Sequence, residues 1–199
     1  MSFLLVALGY LCGTIPTGVL LARRAGVDPR EAGSRNVGAT NVLRTAGVRL
    51  GLLTLLGDAL KGALPVAAAW RLDPATAPAV ALAAVLGHVY PATMGFRGGK
   101  GVATALGVLL VLSPGCSAVL LVGFAVTVAL SRRVSLGSIL AATAAPVVEW
   151  GLGYPTPTIA SAAAIGALIL ARHRENLGRL VAGTEPSLVL RRKQATPGN

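Results

Sequence analysis

Seven apolar runs, near residues 3–22, 50–70, 77–95, 101–112, 116–130, 136–150 and 157–171, take up most of the chain and decide what solvent it folds in. With 54% hydrophobic and 13% charged residues, and a mean hydropathy of +0.71, its 199 residues are too apolar to hide in one water-soluble core. An all-α integral membrane protein of about seven transmembrane helices is expected, folded as a single domain over 1–199. Several runs are shorter than the roughly 20 residues an upright span needs, so some helices are expected to be short. The stretch 102–130 is too long for one helix and short for two, and the turn signal Ser113-Pro114-Gly115 divides it. Short helices fit where an adjoining loop dips into the membrane and is buried in protein. Ala, Leu, Val and Gly supply the apolar mass, which suits helices that pack closely through small residues.

The first run, MSFLLVALGYLCGTIPTGVLLARR, lacks a basic segment ahead of it and a clean small-x-small cleavage site. Its positive charges follow the apolar stretch, so it reads as a first transmembrane helix with its N-terminus outside. The loops then alternate. Residues 23–49, 97–100, 132–133 and 172–193 hold nearly every Lys and Arg, whereas 71–74, 113–115 and 151–157 hold only Arg71. The positive-inside rule places the first set, and the C-terminus, in the cytoplasm. A net charge of +11 on a soluble chain would suggest nucleic acid; here topology accounts for the sign, and the expected partner is the bilayer, with no nucleic acid. Arg191-Arg192-Lys193 read as a solvated end facing lipid headgroups. Cys12 and Cys116 lie in apolar runs without metal or redox spacing and read as space-fillers; no metal site is expected.

Three polar clusters exceed what topology needs, all on the basic face. The first, GSRNVGATNVLR from Gly33 to Arg44, packs Ser34, Arg35, Asn36, Thr40, Asn41 and Arg44 between glycines. Glycines let backbone N–H groups turn toward an anion, and Arg offers a fork matched to phosphate oxygens. The second, GHVYPATMGFRGGKGVAT from Gly87 to Thr104, looks like a phosphate loop, but its glycine spacing departs from Walker A and no strand precedes it. Gly98, Gly99 and Gly101 still permit close backbone approach, Lys100 adds a point charge, and the helix that follows would aim its N-terminus at the anion. His88, one to two turns earlier, reads as a structural hydrogen-bonder. The third, ARHRENLGRLVAGTE from Ala171 to Glu185, spaces His173, Asn176 and Arg179 by three residues, so a helix puts them on one face. Glu175 is the expected partner of Arg172 or Arg179, and Glu185 a group that orients a basic residue or caps a turn. A smaller feature, SRRVSLGS, offers Arg133, Ser135 and Ser138 either to an anion pocket or to helix capping. Asp58 and Lys61, three apart inside the second span, read as a buried salt bridge.

The three clusters, in this order and spacing, resemble the bacterial membrane-bound acyl-phosphate:glycerol-3-phosphate acyltransferases over the whole chain. Val37 stands where a proline is common in the first motif. The resemblance implies transfer of a fatty acyl group from acyl phosphate to glycerol 3-phosphate, giving 1-acyl-glycerol 3-phosphate and inorganic phosphate, in the first committed step of phospholipid synthesis. It implies no cofactor and a place in the bacterial inner membrane with the site on the cytoplasmic face; a monomer is expected. Ser34, Arg44, Lys100, His173 and Asn176 are the expected catalytic set, binding phosphates and polarising the carbonyl. Arg35, Asn36, Gly38, Asn41, Gly98, Gly99, Gly101, Thr104, Arg133, Ser135 and Ser138 would complete the substrate cradle. Two proton acceptors stay open, His173 and a substrate phosphate oxygen, and Ser34 could instead carry the acyl group. The competing classes are an organophosphate transporter, which would want polar groups near the midplane between repeats, and a scaffold for anionic lipids, which would need no glycine loops. No internal repeat is visible.

Overall fold

The structure, a computed structural model, describes residues 1–187; Arg191-Arg192-Lys193 lie outside them. Among the described residues all regular structure is helical. The first span is two helices, α1 (Ser2–Gly13) and α2 (Thr17–Arg23), because Pro16 lacks an N–H and its ring clashes with the preceding turn. Backbone carbonyls at the break find side-chain donors: Thr14 Oγ1 donates to Leu11 O at 2.7 Å, Thr93 Oγ1 to Thr14 O at 3.1 Å, and Lys61 Nζ to Ile15 O at 2.8 Å.

After a short polar helix α3 (Ala39–Ala46) comes the longest, α4 (Val48–Leu72), and then α5 (Ala77–Val89). The helix of the third apolar run, near 77–95, was expected to end about His88. It stops at Val89, because a residue before proline is pushed out of the α region and Tyr90 precedes Pro91. The remainder makes a 3-10 turn, Ala92–Met94. The expected division at Ser113 separates α6 (Val102–Leu112) from α7 (Pro114–Ser131). The chain continues with α8 (Val134–Gly151), α9 (Thr156–Arg172) and a second short polar helix, α10 (Arg174–Val181). Among the described residues five segments are long and apolar enough to cross a membrane: Ser2–Arg23, Val48–Leu72, Pro74–Met94, Pro114–Ser131 and Val134–Gly151; α6 and α9 are apolar but shorter.

Small residues bring the helices together. A Cβ on Gly13 would stand 2.1 Å from Ala84 O, joining α1 to α5, and one on Gly107 would stand 1.9 Å from Ala59 O, joining α4 to α6. Lipid tails give helices no hydrophobic reason to associate, so such close backbone contact supplies the packing energy. Val66, Val80, Val85, Val108, Ile165 and Ile169 fill the centre between α4, α5, α6 and α9. Outward-facing Leu56, Leu64, Val122 and Val126 are exposed, as a lipid-facing wall requires.

The two sets of loops contact their own kind. At one end Ser2 Oγ donates to Asp73 (2.7 Å), Ser161 to Pro78 O (2.9 Å), Ser113 to Glu149 (2.6 Å) and the Gly115 amide to the Tyr154 hydroxyl (3.1 Å). The basic loops meet at the other end.

Candidate active site

The second motif is built against the end of α5. Gly98 N–H donates to Val89 O and Gly99 N–H to His88 O, each at 3.1 Å. The approach demands glycine: a Cβ on Gly98 would stand 2.0 Å from His88 O, and one on Gly99 2.2 Å from His88 Nε2. Gly101, at φ +87°, opens α6, and its missing Cβ faces Val85 and Val89. This corrects the expected open glycine cradle. The amides of Gly98 and Gly99 are occupied by protein carbonyls, and Gly101 faces the core. Thr104 is likewise fully buried, with its carbonyl against Gly62 of α4, so it packs the α4–α6 crossing and does not line an open pocket. The glycines make a rigid base, and Lys100 projects from it.

The Lys100 ammonium donates to Asn176 Oδ1. Asn176, buried on α10, uses its Nδ2 to donate to Glu185 Oε1 at 2.6 Å, and Arg179 Nε donates to Glu185 Oε2 at 2.8 Å. Arg179 therefore pairs with Glu185 and not with Glu175 as expected; Glu185 lies on the chain that folds back after α10. Burial pushes Lys100 down to about 8, with Arg179 and Arg172 adding to the depression and Glu185 and Glu175 opposing it. Despite its burial, Glu185 is held below the usual carboxylate range by its hydrogen bonds.

His173 sits at the α9–α10 junction, 2% exposed. Its Nδ1 lies 2.8 Å from Ile169 O. A carbonyl can only accept, so Nδ1 carries the proton and Nε2 keeps its lone pair. Burial lowers its pKa to about 4 and neighbouring Lys100 adds to this, while the Ile169 bond opposes it. The imidazole is neutral at physiological pH: a weak base, but a fixed acceptor for a hydroxyl.

Ser135, buried at the start of α8, lies close enough to Glu185 to help lower its pKa, although no well-formed hydrogen bond joins them. Ser138 turns to its own helix, donating to Val134 O at 2.9 Å, and the Arg133 amide donates to Ser131 Oγ at 3.1 Å; the first bond lies within α8 and the second braces the α7–α8 turn.

In the first motif the central residue is Asn41. Its Nδ2 donates to Pro29 O (3.0 Å), Ala32 O (3.0 Å) and Asn36 O (2.8 Å), and its Oδ1 accepts from Ser34 N (2.9 Å). Asn36 Oδ1 accepts from Gly38 N at 2.8 Å. The expected role of Asn41 in holding substrate is thus taken by loop-building: its amide is fully engaged. The loop it braces presents Ser34 and Arg35 to solvent, with Arg35 at φ +58°. Arg44, three residues on from Asn41, donates to Ser187 O at 3.3 Å, which brings α3 to the segment that carries Glu185.

Beneath this end lies the buried trio Asp58, Lys61 and His88. Lys61 Nζ is 2.8 Å and His88 Nδ1 3.7 Å from Asp58 Oδ1. Asp58 neutralises the cation that caps Ile15 O, as the salt-bridge reading expects. Sequence reasoning gave Arg172 to an acid. It binds instead the carbonyls of Gly99 (Nε, 3.3 Å) and Gly98 (a terminal nitrogen, 3.2 Å). No spacing rule signals a contact between residues so far apart.

A family model described as "Glycerol-3-phosphate acyltransferase" matches residues 3–183. The chain is 50% identical over 187 residues to a glycerol-3-phosphate acyltransferase of Geobacter sulfurreducens, covering 92% of this chain and 96% of that one. It is 47% identical over 191 residues to one from Synechococcus, covering 94% of each. Its fold matches a crystal structure of PlsY (YgiH), an integral membrane glycerol 3-phosphate acyltransferase, in the glycerol 3-phosphate form, with TM-score 0.91 and 42% identity over 94% of this chain and 96% of that one. The lysophosphatidic acid form of PlsY gives TM-score 0.89 and 41% identity, covering 95% of this chain and 96% of that one.

Proposed function

The chain belongs to the glycerol-3-phosphate acyltransferase family of integral membrane enzymes, and from that premise we propose that its acyl donor is acyl phosphate. The products are 1-acyl-glycerol 3-phosphate and inorganic phosphate. The glycerol hydroxyl oxygen forms a bond to the acyl carbonyl carbon, the bond from that carbon to the phosphate oxygen breaks, and the hydroxyl proton ends on phosphate. Phosphate is a good leaving group, so the site needs position and charge more than a strong base.

The observation that carries this reading is the joining of Lys100, Asn176 and Glu185 beside neutral His173 at the basic end of the helical bundle. Lys100 and Arg44 hold phosphate oxygens and Ser34 adds a hydroxyl. Asn176 shares its carbonyl with Lys100, and His173 accepts the glycerol hydroxyl at Nε2. With the imidazole pKa near 4, the final proton acceptor is a substrate phosphate oxygen, whose second pKa is about 6. Arg35, Asn36, Gly38, Arg133 and Ser135 border the cradle.

In this reading α6 and α9 complete seven spans, with the N-terminus outside and the basic end in the cytoplasm. At about 1.5 Å per residue the 11 residues of α6 reach only ~17 Å of a ~30 Å hydrocarbon core. The glycine loop above α6 then sits within the membrane profile, where an acyl chain can reach it from the bilayer. The single domain acts as a monomer in the bacterial inner membrane. The test is a donor comparison in detergent: acyl phosphate, acyl-CoA and acyl-carrier protein, each with glycerol 3-phosphate. Product from acyl phosphate alone supports the proposal; product from acyl-CoA at equal rate overturns the choice of donor.

A further inference from the structure

Both faces of the Gly98–Gly99 backbone are taken. Its amides donate to Val89 O and His88 O, and its carbonyls accept from Arg172. The Arg172 guanidinium also lies over the Tyr90 ring, 5.9 Å from its centroid. The side chain spans from the last residue of α9 to a loop more than seventy residues earlier. It is immediately followed by His173, and α10 then brings Asn176 to Lys100. Lys100 is therefore attached to a base that Arg172 holds from the same junction that carries His173.

We infer that Arg172 is a positioning residue: it sets the height and direction of Lys100 relative to His173 and Asn176 by clamping the Gly98 and Gly99 carbonyls. The inference rests on the proposed function only in taking Lys100 as a phosphate ligand. A fork is required. Two carbonyls on successive residues need two N–H vectors from one plane, held in the rigid geometry of a guanidinium. A lysine supplies charge without that geometry. Burial and hydrogen bonding also separate Arg172 from the exposed arginines of the same end, which hold no such pair of carbonyls among the described residues.

The test uses the full chain in detergent and a binding readout. Affinity for glycerol 3-phosphate and for inorganic phosphate is measured by calorimetry in wild type, Arg172→Gln, Lys100→Ala and the double variant. The ligand that loses more affinity in Lys100→Ala is the reporter. Arg172→Gln is expected to weaken it about tenfold, with no further loss when added to Lys100→Ala, since coupled residues are not additive. Arg172→Lys should behave like the glutamine variant. Methylguanidinium, but not methylammonium, should restore binding to Arg172→Ala, which also separates positioning from failure to fold. Wild-type affinity in Arg172→Gln, or a full additional loss in the Lys100→Ala background, would overturn the inference. Wild-type protein that neither binds nor consumes glycerol 3-phosphate would overturn the functional reading instead.

Discussion

The Lys100 ammonium donates to Oδ1 of Asn176, 76 residues further along the chain. Glu185 holds the other end of that amide, so the carbonyl end is turned to the cation. Asn176→Ala removes the relay and frees Lys100. Asn176→Asp places a carboxylate against Glu185 and opposes any phosphate at Lys100. Both variants are expected to lower kcat/KM by about 10²-fold or more, with Asp no better than Ala. Steady-state phosphate release measures this; an Asp variant close to wild type would contradict the assigned geometry.

The pH dependence follows from two displaced groups. Lys100, pushed down to about 8, loses its charge across the range where an ordinary lysine keeps it. Phosphate affinity is expected to rise as the ligand becomes dianionic near pH 6 and to fall beyond about 8. Stability of the ligand-free protein runs the other way. The folded pKa lies below the 10.5 of an ordinary lysine, so between the two the unfolded chain binds more protons and stability rises with pH. Lys100→Met should remove both the basic limb and this rise. His173, with a pKa of about 4, is already neutral here, so His173→Gln should lower the profile without moving its limbs.

Glycine substitutions separate packing from flexibility. Gly99→Ala drives a methyl into the His88 ring and Gly98→Ala drives one into His88 O. Each is expected to cost ~1–3 kcal/mol from overpacking and to reduce activity further by shifting Lys100. Gly178 of α10 has nothing within 4 Å of its Cβ position. Gly178→Ala should be neutral or stabilising by up to ~1 kcal/mol. Thermal unfolding in detergent compares the three, and equal effects would contradict the packing account.

Asp58 and Lys61 form an ion pair with side-chain exposures of 3% and 6%. Removing one partner strands a buried charge, so Asp58→Leu or Lys61→Met is expected to cost ~3–5 kcal/mol. The double variant should lose less than the sum, retaining mainly the unmet Ile15 carbonyl at the Pro16 break. A strictly additive double variant would show that the pair is not coupled.

Much of this was legible in the residues. Apolar runs, the Ser113 division and the sorting of basic loops follow from local composition, and the structure keeps them together. The clusters that carry Lys100, His173 and Asn176 stood out because topology needs no Asn or His. What the sequence did not disclose was who spends the hydrogen bonds. Glycine density suggested an anion nest at Gly98 and Gly99, and density alone cannot tell an open amide from one already donating to His88 O or Val89 O. Asn41 likewise looked like a ligand donor until its amide was found joining Pro29, Ala32 and Asn36. Arg172 and Glu185 act across long separations, and helical spacing holds no information about them.

Phosphate release by purified wild-type and Lys100→Ala protein in detergent, given acyl phosphate with and without glycerol 3-phosphate, tests the central claim most directly. Release that requires glycerol 3-phosphate, matches the acylated product in amount and falls by about 10²-fold or more in the variant is the expected result. Release from folded wild-type protein that ignores glycerol 3-phosphate, or survives unchanged in Lys100→Ala, would contradict it.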